Sequence, residues 1–151
     1  MTEAASALAG LAEIAGNYDA LLCDVWGVVH NGVAAHPTAV EGLLAYRRAG
    51  GRVVLITNAP RPAAPLIAML DGMGVPREMF DALISSGDTT RVMIAPYRGR
   101  VVHHFWLPLV DDALYEGLGV IRGLAWEAEV VVVTDMPDDD DTPDMCAYEM
   151  A

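Results

Sequence analysis

Apolar and polar positions alternate in blocks along the first ninety residues of the chain. Short apolar runs at 20–26, 52–58 and 81–87 predict β-strands. Between them, 37–51 and 61–75 carry apolar residues at helical spacing and predict helices. The first of these has Pro37 in its opening turn and two glycines at its end, which is typical of a complete helix. Strand and helix alternating through short connections predict right-handed βαβ units and a parallel sheet.

The same pattern predicts further elements on both sides of this block. Residues 2–15 have helical spacing and predict an N-terminal helix that ends at Gly16 and Asn17. Two more apolar runs, 100–108 and 128–135, predict strands, and 111–119 predicts a short helix between them. The run at 20–26 is apolar almost throughout, so we expect its strand to be buried on both faces of the sheet.

Composition narrows the class of protein. The 151 residues are 54% hydrophobic, enough for one domain with a real core. The net charge is −12, and no basic patch is present, which argues against nucleic acid and anionic membranes as partners. No apolar stretch reaches bilayer length and the N-terminus is acidic, so we expect a cytoplasmic protein. All nine basic residues are arginine, and the chain contains no lysine.

Polar residues lie at the ends of three successive predicted strands, and these positions carry the candidate chemistry. Asp24, Thr57 with Asn58, and Ser85 with Ser86 fall at carboxyl ends of strands, where ligands bind in parallel sheets. A carboxylate there can attack phosphorus and form an aspartyl-phosphate, usually with Mg²⁺. Each feature also has a plain structural interpretation: Asp24 as a turn former or helix cap, Thr57 and Asn58 as part of a turn, and Ser85 as the N-cap of a following helix.

Three segments in this order resemble one enzyme family. The stretches LLCDVWGVVHNG, VVLITNAPR and ALISSGDTTR are similar to the opening of class IIA of the haloacid dehalogenase superfamily, which includes nitrophenylphosphatase-like and nucleotide-phosphatase-like enzymes. The resemblance implies an α/β fold. Residues 1–95 would form the N-terminal part of a Rossmann-like parallel core, and 96–151 the start of an α/β cap domain with an acidic tail. A cap that is incomplete in this way implies a chain truncated within it.

The resemblance also assigns roles to residues. Asp24 would be the nucleophile and a Mg²⁺ ligand, and the backbone carbonyl of Trp26 would be a second ligand. Thr57 would bind the phosphoryl group, Asn58 would support that loop, and Gly27 would let the chain turn close to the substrate. The implied reaction is Mg²⁺-dependent hydrolysis of a small phosphorylated metabolite.

Two departures from the family pattern bear on that reaction. The first motif normally reads Asp-x-Asp-Gly-Val, whereas this chain has Trp26 at the position of the second acid. It resembles in this a subgroup of the family that carries Trp there. An indole neither gives up nor accepts a proton near neutral pH. The family's lysine has no counterpart in this chain. We therefore expect a weak or inactive hydrolase. The alternatives are a non-catalytic module that binds a phospholigand or a partner, and a fragment that cannot close its sheet. A homo-oligomer would hide open sheet edges.

Other polar residues have plainer interpretations. His103 and His104 are neighbours on a predicted strand and point to opposite faces, which disfavours a shared metal ion. His30 is close to Asp24 in sequence, so one interpretation is that it faces the site, but loop histidines are more often solvent-exposed or capping residues, and we expect that here. The four aspartates at 138–141 lack the pattern of a calcium-binding loop and are expected to be solvated.

Overall fold

The computed structural model of the chain describes residues 9–105 and 112–134. Within these ranges the α-helices and strands, in chain order, are β1 (Ala20–Asp24), α1 (Pro37–Arg48), β2 (Arg52–Thr57), α2 (Ala63–Gly72), β3 (Ala82–Ser85), α3 (Ser86–Ile94), β4 (Val101–Phe105), β5 (Ile121–Arg122) and β6 (Val130–Val133). The six strands form two three-stranded sheets, ordered β1-β2-β3 and β5-β4-β6. Strand β1 pairs parallel with β2, and β4 pairs parallel with both β5 and β6. The predicted α/β fold with parallel sheets is confirmed.

Contacts divide the described residues into two compact units. Unit 1 comprises residues 9–57 and 67–84, and unit 2 comprises 58–66, 85–105 and 112–134. The chain therefore passes between the units three times: directly after Thr57, within α2, and after Ile84. The predicted domain division between residues 95 and 96 stays a prediction.

The sheet of unit 1 buries only one of its faces. Val53, Leu55 and Leu83 are buried, whereas Leu22, Ile56 and Ile84 on the other face are 71%, 39% and 50% exposed. The expectation that the first strand is buried on both faces is wrong, because β1 is the edge strand and its residues alternate between exposed and half-buried. An apolar run therefore marks this strand but does not reveal how many layers cover it.

Helix α1 has the boundaries that its sequence predicts. Pro37 occupies the first turn, where a missing N–H costs nothing, and the backbone amide of Gly51 donates to the carbonyl of Tyr46 at 3.1 Å to end the helix. Gly50 has a φ of 95°, a conformation that favours glycine. The Tyr46 hydroxyl donates to the carbonyl of Tyr18 at 2.6 Å, which ties α1 to the segment preceding β1.

Unit 2 has its own core beside the sheet β5-β4-β6. Its buried members come from α3, from β4 and β6, and from the segment between them: Ile94, Val102, Leu114, Tyr115 and Val132. Predicted strands 100–108 and 128–135 correspond to β4 and β6 in the described residues. The short strand β5 was not predicted, and the predicted helix at 111–119 is only a 3₁₀ turn at Asp112–Leu114 followed by an irregular turn.

The predicted N-terminal helix is the main secondary-structure error. Its described part forms two 3₁₀ turns, Leu11–Glu13 and Ala15–Asn17, and no residue in either turn is buried. An isolated short segment gains little from helix formation unless an apolar face packs against a core. Residues 2–8 of that prediction, like 135–151 with the four aspartates, lie outside the described ranges.

In residues 9–105 and 112–134, none of the helices combines the length and the hydropathy that crossing a bilayer requires.

Candidate active site

The candidate nucleophile and the candidate phosphate-binding hydroxyl end neighbouring strands. Asp24 is the last residue of β1, and its Cα partner on β2 is Ile56, so Thr57 lies one residue beyond that pair. Because the strands are parallel, both residues reach the same edge of the sheet. Alternation along the strands assigns their side chains to opposite faces, so a ligand would contact both only from above the strand ends.

Asp24 is exposed and its carboxylate is already oriented. One carboxylate oxygen accepts a hydrogen bond from the backbone amide of Val25 at 2.7 Å. The preceding Cys23 thiol donates to the backbone carbonyl of Asp24 at 3.2 Å. Burial, and next the negative charge of Asp24, raise the pKa of the Cys23 thiol above its ordinary value of 9.0. The neighbour of the candidate nucleophile is therefore a neutral thiol near pH 7.

The loop after Asp24 is closed by its own backbone. The amides of Val29 and His30 donate to the carbonyl of Val25 at 2.9 and 3.3 Å, and the amide of Gly27 donates to the carbonyl of His30 at 2.8 Å. Gly27 has a φ of 75°, which permits this tight turn. The bridge between Trp26 and His30 uses the carbonyl of Val25 and the amide of Gly27, so the carbonyl of Trp26, the expected metal ligand, takes no part in it.

The indole of Trp26 is the exposed aromatic side chain of this loop. It is 62% exposed, yet its ring meets the His30 ring edge-on, with centroids 5.5 Å apart and planes at 89°. His30 is 3% exposed, and its Nδ1 accepts from the amide of Gly32 at 2.8 Å, so the ring proton belongs on Nε2. The expectation of a solvent-exposed His30 is wrong, because the imidazole is buried in the loop, whereas its bond to the amide of Gly32 is a capping contact, the other role expected of it.

The segment after Thr57 is held by the start of α3. Asn58 directly follows Thr57 and is exposed. The Asp88 carboxylate accepts from the amide of Ala63 at 3.1 Å and from the hydroxyl of Ser85 at 2.9 Å. Gly87 donates its amide to the carbonyl of Ala59 at 3.2 Å. We call this set of contacts between 59–63 and the first turn of α3 the loop clamp.

Ser85 serves the helix and not a ligand. Its hydroxyl oxygen accepts from the amide of Asp88 at 3.0 Å while the Asp88 carboxylate accepts from the amide of Ser85 at 3.3 Å, which completes a reciprocal capping box. The N-cap interpretation of this residue is confirmed. The sequence SSGD indicated the cap, but the second role of Asp88, which accepts from the amide of Ala63 twenty-five residues away, had no local signal.

The two neighbouring histidines on β4 have hydrogen-bond partners in two different segments. His103 Nδ1 lies 2.9 Å from the carbonyl of Gly123, and His104 Nε2 lies 2.8 Å from the Thr134 hydroxyl. That they share no metal ion stays a prediction from the sequence. Across residues 9–105 and 112–134, no three His, Cys, Asp or Glu side chains are grouped as a metal site.

A cavity of about 800 Å³ lies in unit 1 away from these residues. Its lining includes Ala20 and Arg52, the first residues of β1 and β2, together with Tyr18 and Gly51. It thus borders the amino ends of the strands, opposite Asp24 and Thr57. None of its lining residues is a candidate site residue.

Comparison with known proteins shows which protein family has this arrangement of strands and strand-end residues. A fold with parallel α/β sheets and polar residues at strand ends defines a broad class of enzymes and binding proteins. Within that class, residues 21–117 match the family described as haloacid dehalogenase-like hydrolase, which is more than half of the chain. The chain belongs to this family. No curated protein matches the sequence.

Solved structures of similar proteins share the fold. A haloacid dehalogenase-like hydrolase from Brucella suis is 37% identical, with a TM-score of 0.78 over 91% of this chain and 51% of that one. A 4-nitrophenylphosphatase from Thermotoga maritima is 20% identical, with a TM-score of 0.63 over 91% and 51% of the two chains. A glycerol phosphate phosphatase from Mycobacterium tuberculosis in complex with magnesium is 24% identical, with a TM-score of 0.58 over 83% and 38%. The chain spans about half the length of these proteins or less.

Proposed function

We propose that this chain carries the nucleophile-bearing part of a phosphatase that acts on a small phosphorylated metabolite. The observation that supports this most directly is the register of β1 and β2, which ends one strand at Asp24 and its neighbour at Thr57. Membership of the haloacid dehalogenase-like hydrolases gives that pair a chemical context. Neighbouring structures named as phosphatases support the substrate class, a phosphoric monoester.

In the proposed reaction, a carboxylate oxygen of Asp24 attacks phosphorus. An oxygen–phosphorus bond forms, the ester oxygen leaves with the bonding electrons, and the product on the protein is an aspartyl-phosphate that water then cleaves. The amide of Val25 holds one Asp24 oxygen at 2.7 Å, which leaves the other oxygen as the attacking atom. Thr57 donates its hydroxyl to the phosphoryl group, and Asn58 supports the loop that follows.

Oxygen ligands at this edge fit Mg²⁺. The exposed carboxylate of Asp24 and the carbonyl of Trp26, which is outside the local bridge, are hard donors, and Mg²⁺ is commonly bound by one or two carboxylates with substrate phosphate and water. These two residues would hold the ion. It would supply positive charge that offsets the repulsion between an anionic nucleophile and an anionic substrate.

Activity of this chain should be low. A general acid contributes about 10²- to 10⁴-fold to the rate of such a step, and the Trp26 indole does not replace one. The leaving oxygen must then take its proton from solvent. No lysine is present to steady the phosphoryl group.

The second candidate is a module that binds a phospholigand or a partner without turnover. The exposed Trp26 at the place of the second acid favours it, because the position is built for contact and not for proton transfer. The two candidates share the same ligand position and differ only in whether phosphate is released. The cytoplasmic location, the homo-oligomer and the lack of nucleic-acid and membrane partners remain predictions from the sequence.

Phosphate release from 4-nitrophenyl phosphate with Mg²⁺ tests the proposal. We expect a slow reaction that Asp24→Asn abolishes and that Asp19→Asn leaves unchanged, since Asp19 carries the same charge but precedes β1. Equal rates for the wild-type chain and Asp24→Asn would reject the nucleophile. If no phosphate is released, calorimetry with Mg²⁺ and inorganic phosphate decides: saturable binding that depends on Asp24 supports the module, and no binding rejects both candidates.

A further inference from the structure

We infer that Trp26 is a specificity-determining residue, an aromatic platform on which a flat, aromatic leaving group of the ligand stacks. This inference rests on the proposed function, because it concerns the part of the ligand beyond the phosphoryl group. It assigns to Trp26 a side-chain role that is separate from the metal-binding role of its carbonyl.

The platform is built from the loop that follows β1. The indole lies against Gly32 so closely that a Cβ on that glycine would be 2.7 Å from two ring carbons. Real Cβ contacts of that length are essentially never seen, so a side chain at residue 32 would displace the indole, and the φ of 90° there also favours glycine. The His30 ring meets the indole edge-on from a second direction. Two contacts therefore support a ring that remains 62% exposed.

The support beneath the ring is itself fixed. His30 is 3% exposed, with its Nδ1 bonded to the amide of Gly32 and its carbonyl bonded to the amide of Gly27. The amide of His36 also donates to the carbonyl of Val29 at 2.8 Å, which closes the end of the loop before α1. A side chain held in place before binding loses less conformational entropy when a ligand arrives. An indole that is both restrained and exposed is thus suited to binding.

The leaving group is assigned to Trp26 from its place in the chain. Trp26 follows Asp24 by two residues, and we infer that the ester substituent of a phosphoryl group on that carboxylate lies beside the same loop. Aromatic pairs gain attraction from ring geometry beyond the area that they bury. We expect a flat aromatic substituent to bind roughly two- to tenfold more tightly than a saturated ring of similar size.

Phosphonates test this without turnover, because their carbon–phosphorus bond is not an ester. Calorimetry with Mg²⁺ would compare methylphosphonate, cyclohexylphosphonate and phenylphosphonate on the full chain. We expect phenylphosphonate to bind most tightly, and Trp26→Ala to reduce its affinity to that of cyclohexylphosphonate while methylphosphonate is unchanged. Trp26→Phe should keep most of the preference. Trp126→Ala is the matched control, since Trp126 is 65% exposed and lies in unit 2.

The outcomes separate the inference from the proposed function. If methylphosphonate does not bind the wild-type chain, the proposed phosphate site fails. If all three ligands bind equally, or if Trp26→Ala weakens all three by the same factor, the phosphate site stands and the aromatic platform is overturned. If the alanine variant does not fold, Trp26→Phe takes its place in the test, because it keeps an aromatic ring on the loop. Equal phenyl and cyclohexyl affinities in that variant as well as in the wild type would again reject stacking.

Discussion

At the scale of single residues, Cys23 and Asp24 give a chemical reporter at the candidate site. The Cys23 thiol lies next to the carboxylate in sequence and bonds to its backbone carbonyl. Burial is the larger cause of its raised pKa, and the Asp24 charge is the second. Thiol reactivity should therefore report whether the charge of Asp24 is present.

We predict that removing that charge lowers the pKa of Cys23. In a Cys146→Ser background, the rate of reaction with iodoacetamide should rise only above pH 9.0, the ordinary thiol value, since the thiolate is the nucleophile. Asp24→Asn should shift this profile to lower pH, whereas the same change at Asp19 should not. A profile that does not move with Asp24→Asn would contradict the electrostatic coupling.

The raised pKa also fixes the sign of a stability effect. Because the folded thiol holds its proton to higher pH than the unfolded thiol, the free energy of unfolding is undiminished below the ordinary thiol value. It falls as the pH rises from there through the folded pKa. Cys23→Ser should remove this part of the alkaline loss of stability.

The sequence predicted the positions of some candidate site residues and missed others for a physical reason. Asp24 and Thr57 could be predicted because each ends an apolar run, and strand ends are visible locally. His30 and Asp88 could not, since their roles depend on contacts that only folding creates, such as the bond from the Ala63 amide to Asp88. Local patterns show where a chain turns, but not what later packs on the turn.

At the scale of elements, the loop clamp links α3 to the segment after Thr57. Gly87 is buried in the first turn of α3, and a Cβ there would overlap the backbone of Pro60 and Arg61. Backbone atoms cannot move aside as a flexible side chain would. The absence of a side chain at residue 87 is therefore what lets the two segments touch.

We predict opposite effects from alanine at two helical glycines. Gly87→Ala should lower the free energy of unfolding by roughly 1–3 kcal/mol, because the methyl group forces the segment 59–63 away. Gly42→Ala in α1 should raise it by about 0.5–1 kcal/mol, because nothing lies within 4 Å of the new Cβ. Urea unfolding measures both. Equal effects of the two substitutions would contradict the clamp.

The alternation of strands and helices was predictable from periodicity. The number of sheet faces that other layers cover was not. Periodicity predicted β1, β2 and β3, together with the helices between them, because a period of about two or 3.6 is a property of the local chain. The exposed face of β1 was missed, since a run such as ALLCD has the same composition whether one layer or two cover it. Coverage depends on the rest of the molecule.

At the scale of the whole molecule, an apolar sheet face coexists with a large negative charge. Leu22, Ile56 and Ile84 present apolar surface on unit 1, and the chain carries a net charge of −12. Such a face favours association, while like charge opposes it. Because charge repulsion is screened by salt and apolar attraction is not, ionic strength should decide the balance.

We predict that raising NaCl from about 0.02 M to about 0.5 M at pH 7, which shortens the screening length to ~4 Å, makes the chain self-associate. Leu22→Thr should weaken this association, because it removes the most exposed of these apolar side chains, at 71%, and threonine suits a strand. Val33→Thr is the control, since Val33 is 87% exposed but belongs to the loop. Sedimentation velocity measures the outcome. Equal association of both variants with the wild-type chain would show that some other surface drives it, because only Leu22 among the two changed residues belongs to the sheet face.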